Sequence, residues 1–432
     1  MREKVAFYTL GCKVNQYETE ALIELFREKG FEIVDFNDVA DIYIINTCTV
    51  TGRSDSKSKQ LIRRANRQNP DAIIGVIGCY PQVAAEEVLA MEGVSFILGT
   101  KNKTKILDVV ERFKREGEKI NAIEDIRDVK EFEEMKIKGH ENKTRAFIKI
   151  QDGCNQFCSY CIIPYARGPV RSRNIKEIVE EVKRVADEGF KEVVLTGIHI
   201  ASYGKDLESL SLKDVIYEIS KIEGVKRIRL SSIEPTALTE DFIKFLSANP
   251  KICRHFHVSL QSGCDETLKR MNRKYTTKEY KEIINNLRFH IPGVAISTDI
   301  MVGFPGETDE EFKKTYKFVE EIAFSHIHVF KYSPRKGTPA ATFKNQINPQ
   351  VKEVRSRALI ELGNSLKREF NSKFIGATME VLYETKISED LYEGLTDNYI
   401  KVVATSKEDV RNRLMDTQMI DLKDDYLIGK IL

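Results

Sequence analysis

Cys154, Cys158 and Cys161 stand in a C-x3-C-x2-C array. Three thiolates this close in sequence can fold round one corner of a cubane iron–sulfur cluster, which normally takes four cysteines. Three ligands leave one iron open, and an open position is where a metal centre does chemistry. A zinc knuckle would want a fourth Cys or His at short spacing, and none lies between Cys161 and His199. The array follows an alternating apolar run at 145–150. It is therefore expected at a strand's C-terminal end, the functional edge of parallel α/β folds.

Three more cysteines are far apart in sequence. Cys12, Cys48 and Cys79 each close a β-like run, at 4–10, 41–47 and 72–78, with helical patterns at 18–30 and 57–68 between them. Right-handed crossovers make such strands parallel, so their C-terminal ends share one edge. The three thiols are expected to converge there as a second trio with an open iron. The alternative is three small residues at buried strand ends.

The elements that must carry these residues repeat along the chain. Strand patterns at 145–150, 192–200, 226–233, 255–260, 295–302 and 327–332 alternate with helical ones at 175–188, 212–222, 240–246, 278–289 and 310–322. Six such units suggest an open, partial barrel. The charged stretch 111–142 reads as a connector with at most short helices, or else as an ordered strap across the junction. An amphipathic helix over 350–370 precedes short β patterns at 378–383, 391–395, 399–403, 418–421 and 426–432. Closely spaced strands of this kind suggest a small antiparallel barrel. The fold class is therefore α/β. A parallel α/β domain (1–118) and a charged linker (119–143) precede a partial (β/α)6 barrel (144–348). A connecting helix (349–374) then leads to a small C-terminal β-barrel (375–432).

Composition sets the outer limits. A chain of 432 residues that is 41% hydrophobic and 31% charged can build a real core in water. No apolar run reaches the ~18 residues of a membrane span, and the opening residues lack a signal peptide's apolar region. The expected place is the cytoplasm, where eight cysteines argue for metal or redox chemistry over disulfides. A net charge of +2 makes no whole-molecule case for nucleic acid, so an RNA site must come from local clustering. Residues 54–68 carry five Lys or Arg against Asp55, which suits either a solvated helix face or an RNA backbone.

The C-x3-C-x2-C array, with Tyr160 before its third cysteine, resembles the signature of radical S-adenosylmethionine (SAM) enzymes. The segments 11–20, 46–50 and 77–81, around Cys12, Cys48 and Cys79, resemble the motifs of the methylthiotransferases within that group. The resemblance spans nearly the whole chain. It implies two 4Fe-4S clusters, one on each cysteine trio, and two SAM molecules. One SAM methylates a sulfur carried by the first trio's cluster. The other is cleaved reductively, and the resulting radical takes hydrogen from C2 of an adenosine. An aromatic C–H has no useful acidity, so no protein acid or base is expected to be catalytic.

SAM contacts are expected from Tyr160, Gly197, Glu234, Ser259, Gln261 and Asp299, each of which could instead serve as a strand-end turn or cap. Arg167, Arg171 and Arg173 follow the cluster loop and are read as holding an anionic substrate, or as a solvated basic loop. The C-terminal module is similar to the TRAM RNA-binding barrel, best at 394–400. The implied partners are tRNA, an electron donor and a sulfur source, with the protein a monomer off the membrane. The residues after Gly11-Cys12 look most like those of enzymes acting on N6-threonylcarbamoyladenosine beside the anticodon. Isopentenyladenosine tRNA and a ribosomal protein are the alternative substrates. A non-catalytic iron–sulfur RNA-binding or redox-sensing protein is the alternative of another class.

Overall fold

The computed structural model describes residues 2–135, 137 and 144–432. Its first unit is a six-stranded parallel sheet in the order β2-β1-β3-β4-β5-β6. The strands are β1 (Lys4–Thr9), β2 (Glu32–Val34), β3 (Ile42–Thr47), β4 (Ile73–Gly78), β5 (Val94–Leu98) and β6 (Ile120–Ala122). Every residue of β3 is buried. Ile42 and Ile44 face one core with Leu22 and Phe26, while Tyr43 and Ile45 face another with Leu61 and Ile62. The near-continuous apolar runs follow from helices covering both faces of a parallel sheet.

The first helix is Lys13–Glu28, so it begins directly after Cys12 and not at residue 18 as its periodicity suggested. β6 extends the same sheet into the stretch read as linker. Beyond it the chain runs as an ordered strap: Ile126, Val129, Met135 and Ile137 are buried, and the Met135 carbonyl accepts from the Tyr17 hydroxyl at 3.0 Å. Residues 136 and 138–143 of the linker lie outside the described residues.

The second unit is a partial barrel. Its parallel strands are β7 (Arg145–Asp152), β9 (Glu192–Gly197), β10 (Arg227–Leu230), β11 (His255–His257), β12 (Ala295–Val302) and β13 (His326–Lys331). Two-residue β8 (Arg171–Ser172) pairs antiparallel with β7. Single bridges from Ile228 to Ile252 and from Ile233 to Val258 join the two half-sheets. Ile148, Leu195, Ile228, Phe256 and Ile300 point outward into a core shared with the surrounding helices. Alternation then turns Arg145, Phe147, Arg229, His257 and Asp299 inward.

The helix Pro349–Ser372 leads to a closed barrel in the order β14-β15-β16-β18-β17. Its strands are β14 (Thr378–Lys386), β15 (Leu391–Thr396), β16 (Lys401–Thr405), β17 (Leu414–Lys423) and β18 (Tyr426–Ile431). The β16–β18 pair is parallel, so the barrel is not wholly antiparallel as its short strands suggested. The closed barrel docks at the first residues of the partial-barrel strands. Arg254 meets Asp397 at 2.6 Å, and Arg227 donates to the Glu380 carbonyl at 2.7 Å. The turn after β15, where the resemblance to an RNA-binding module was best, is spent on this contact.

Candidate active site

Cys12 lies three residues beyond β1, while Cys48 and Cys79 directly follow β3 and β4. The register pairs Thr9 with Asn46 and Thr47 with Gly78, so the three strands end at one level and the thiols share one edge. Gly11 lets them approach: at φ +108° it is left-handed, and a Cβ there would come within 2.7 Å of Cys48 Cβ. Asn15 stitches the loops, donating to the carbonyls of Leu10 at 2.8 Å and Thr47 at 3.0 Å. Burial, then neighbouring Cys79, pushes the Cys48 thiol up to about 12. Burial also raises Cys79, partly countered by Arg167 beside it.

The second trio hangs on the loop between β7 and the helix Ile163–Arg167. Gly153, at φ +74°, turns that loop where any Cβ would strike the Pro169 carbonyl oxygen. Burial pushes Cys154 up to about 11 and Cys161 up to about 12. Arg273 donates to Cys158 Sγ at 3.2 Å and to both Glu234 carboxylate oxygens at 2.8–2.9 Å. It also reaches the Ser259 carbonyl at 3.4 Å. Sequence reasoning missed Arg273. Its only signal was a lone Arg within Met271-Asn-Arg-Lys-Tyr275.

The predicted SAM residues divide. Glu234 and Ser259 meet through Arg273. Tyr160 sets its ring edge-on to Phe304 at 6.4 Å. Gln261 is left-handed at φ +70° and donates its backbone N–H to the Asp299 carbonyl at 2.8 Å. The Asp299 carboxylate pairs with His257 at 3.2 Å on the inner face. At Gly197 a Cβ would lie 3.0 Å from the Gln151 carbonyl oxygen, so the backbones approach closely there. Beside the cluster loop a cavity of about 400 Å³ is lined by Gln156, His199, Tyr203, Glu234 and Thr236. His199 Nε2 is buried without a hydrogen-bond partner, 3.9 Å from Glu234.

Arg167, Arg171 and Arg173 are buried, not a solvated loop, and their guanidinium groups are engaged within the protein. Arg167 is fully buried and donates to Asn15 Oδ1 at 2.6 Å, Glu18 Oε1 at 2.9 Å and Asp152 at 3.1 Å. Arg171 donates to the carbonyls of Arg167 and Pro169. Arg173 is paired with Glu181 and Glu134. Lys103 and Lys149 also meet Glu18, at 3.1 and 2.9 Å. Buried cations thus outnumber the Glu18 and Asp152 carboxylates. The Arg167 Nε has no acceptor, and the guanidinium lies beside the Cys79 thiol.

These observations test whether the residues fit clusters. Each trio is half-buried or better save Cys12, and each has a guanidinium at one sulfur. Excess buried positive charge faces Cys79, which suits an anionic cluster and not three neutral thiols. Among the described residues no His, Cys, Asp or Glu group is tight enough to hold a single metal ion. Cysteines of a cubane bind separate irons and stand wider apart.

A cysteine loop at the head of a six-strand parallel barrel defines a radical-SAM enzyme. Residues 148–319 match the Radical SAM superfamily, and residues 4–99 match an uncharacterized protein family, UPF0004. The chain belongs to the radical-SAM methylthiotransferase family, whose members use SAM and two iron–sulfur clusters. It is 43% identical over 99% of its length to the threonylcarbamoyladenosine tRNA methylthiotransferase MtaB of Bacillus subtilis, covering 96% of that protein. The MtaB of Aquifex aeolicus is 41% identical over 92% of this chain and 96% of its own. A tRNA-2-methylthio-N(6)-dimethylallyladenosine synthase of Carboxydothermus hydrogenoformans is 35% identical over 98% of both. In fold, the chain is similar to the radical SAM methyltransferase TsrM of Kitasatospora setae. The TM-score is 0.58 at 16% identity, over 79% of this chain and 77% of that one.

Proposed function

We propose that this enzyme installs a 2-methylthio group on C2 of N6-threonylcarbamoyladenosine beside the tRNA anticodon. Cys12, Cys48 and Cys79 hold one 4Fe-4S cluster, and Cys154, Cys158 and Cys161 hold the other. The observation that carries this reading is Arg167. One guanidinium binds Glu18 of the first helix, Asp152 two residues before Cys154, and the neighbourhood of Cys79. The two trios therefore flank a single buried charge bridge. When bound, the clusters supply an electron to SAM and a sulfur to the base.

The chain's own residues do the positioning. Arg273 holds Glu234 and Cys158 in one place. The loop after β13 spans both trios: Arg335 donates to Thr49 Oγ1 at 2.6 Å, and the Ala340 N–H donates to the Ser159 carbonyl at 2.8 Å. The half-exposed inner face of the barrel leaves a polar chamber for the base. Exposed Arg53, Lys57, Arg63, Arg64 and Arg67 on the helix Gly52–Gln68, which starts four residues after Cys48, suit an RNA backbone. In this reading residues 1–118 carry sulfur, 144–348 bind SAM, and 375–432 support the RNA. A monomer in the cytoplasm, served by a separate reductant and sulfur source, completes it. Among the described residues no helix is long and apolar enough to cross a membrane.

Three measurements test the reading. Anaerobically reconstituted protein is expected to hold about eight irons and eight sulfides per chain. Ala at any of the six cysteines is expected to abolish product, and full turnover by one such variant would refute its assignment. Nucleosides from a deletion strain are expected to lack the 2-methylthio-threonylcarbamoyl peak. Loss of the isopentenyl peak instead would transfer the substrate within the family.

A further inference from the structure

A fully closed β/α barrel is filled by Val, Ile and Leu, but the inner face of this one is charged. Most of that charge cancels locally. Arg145 meets Glu384 at 2.7 Å, and Arg229 meets Glu192 at 2.6 Å. Lys13 does not cancel. It is the first residue of the helix that begins after Cys12. Its Nζ lies 5.6 Å from the ring centroid of Phe147, on the inner face of β7. Among the described residues no carboxylate pairs with it. Its electrostatic neighbours are Tyr399, Arg145 and Arg229, with Glu192 the weakest. Tyr399 floors the chamber, stacked on His255 at 4.6 Å with the Arg229 guanidinium 4.7 Å above its ring.

Three cations therefore surround one aromatic floor, and among the described residues only two have carboxylates of their own. A half-buried ammonium without a counter-ion is costly unless an anion arrives. Adenine carries C2 and the N6-bearing carbon on either side of N1. A centre that works at C2 therefore holds the N6 substituent within its own walls.

We propose that Lys13 is the specificity-determining residue of this site, its ammonium receiving the free carboxylate of the threonylcarbamoyl side chain. The inference rests on the substrate reading above. A site built to pair a substrate charge rejects an analogue lacking it, because its own buried group is left unmatched.

The test titrates the reconstituted holoenzyme with two anticodon hairpins, one bearing N6-threonylcarbamoyladenosine and one bearing its methyl ester. The wild type is expected to prefer the acid on the order of 10- to 100-fold, the range of a hydrogen bond to a charged group. Lys13→Gln is expected to bind both hairpins alike, and Lys13→Arg to restore the preference. Iron content and 5′-deoxyadenosine release serve as the fold control. Should Lys13→Gln fail to assemble, the wild type's choice between acid and ester still decides. An undiminished preference in Lys13→Gln overturns the inference, as does equal weakening of both hairpins, which would mean that Lys13 meets an RNA phosphate. Turnover of the acid hairpin without any preference over the ester overturns only this inference. No turnover of the acid hairpin by the wild type overturns the substrate reading and this inference with it.

Discussion

Replacing Arg167 by Leu removes the centre of the buried charge bridge. The side chain is fully buried and makes hydrogen bonds to Asn15, Glu18 and Asp152. Breaking a buried ion pair by deleting one partner costs about 3–5 kcal/mol. Here the lower end applies, because Lys103 and Lys149 still face Glu18, and Lys149 and Arg171 still face Asp152. At about 2–4 °C per kcal/mol for a unit of 150–250 residues, a 3 kcal/mol loss lowers Tm by roughly 6–12 °C. Differential scanning calorimetry of apo protein reads this without any cluster chemistry. Arg167→Lys keeps the charge and loses the fork, so it is expected to fall between the two. A cycle with Glu18→Gln is expected to show a coupling of at least ~1 kcal/mol. An Arg167→Leu protein that melts within about 2 °C of wild type but fails to bind tRNA would refute this reasoning. It would return Arg167 to the substrate role its sequence position first suggested.

Gly153→Ala places a Cβ against the Pro169 carbonyl oxygen at a left-handed φ. It is expected to disorder the second cysteine loop and drop iron toward about four per chain, as read by iron assay; full iron would contradict the geometry. Arg273→Met leaves Glu234 buried beside only His199 and strips a cation from Cys158. It is expected to weaken SAM binding, by calorimetric titration, while sparing the first trio's iron. Burial, then His328 nearby, pushes His326 down to about 4. Between that value and its usual ~6.5 the unfolded chain binds a proton that the folded chain does not. Stability is therefore expected to fall as pH drops from about 6.5 to about 4. His326→Gln should flatten that limb of a urea-midpoint series, and an unchanged slope would exclude His326 as its source.

The parts of the site that obey periodicity were legible. Strand patterns ending at Cys12, Cys48 and Cys79 placed three distant thiols on one edge, because parallel topology leaves no other choice. What the sequence concealed was pairing at long range. Arg167 and Glu18 are 149 residues apart, and a lone Arg after a cysteine loop looks the same whether it is solvated or buried. A signal existed on the other partner. Asn15, Glu18, Thr19 and Leu22 share one stripe of a helix starting at Lys13, and all are buried. Placing that start at residue 18 removed Asn15 from the stripe and hid it. The connector was concealed for a similar reason. Its apolar residues follow no period: Met135 and Ile137 join the first unit's core, while the Ile137 carbonyl accepts from Arg184 and Ile126 lies against Gly168 of the second.

The strap and the charge bridge bear on the same problem, which is holding two cysteine trios from separate layers at a fixed separation. A hydrophobic interface would hold the layers together, yet it tolerates sliding, since apolar contact is non-directional. Guanidinium forks do not slide: Arg167 has two bonded nitrogens, each aimed at a different partner set. Arg335 adds a second guanidinium contact, one nitrogen reaching from the loop after β13 to Thr49, the residue after Cys48, and to Asp55. Directional charge at both contacts thus fixes the first trio against the barrel. The chamber between them remains polar and half-exposed, and no carboxylate among the described residues pairs with Lys13 on its wall. Rigidity thus lies in the walls, and a cation without its own carboxylate lies on the chamber they enclose.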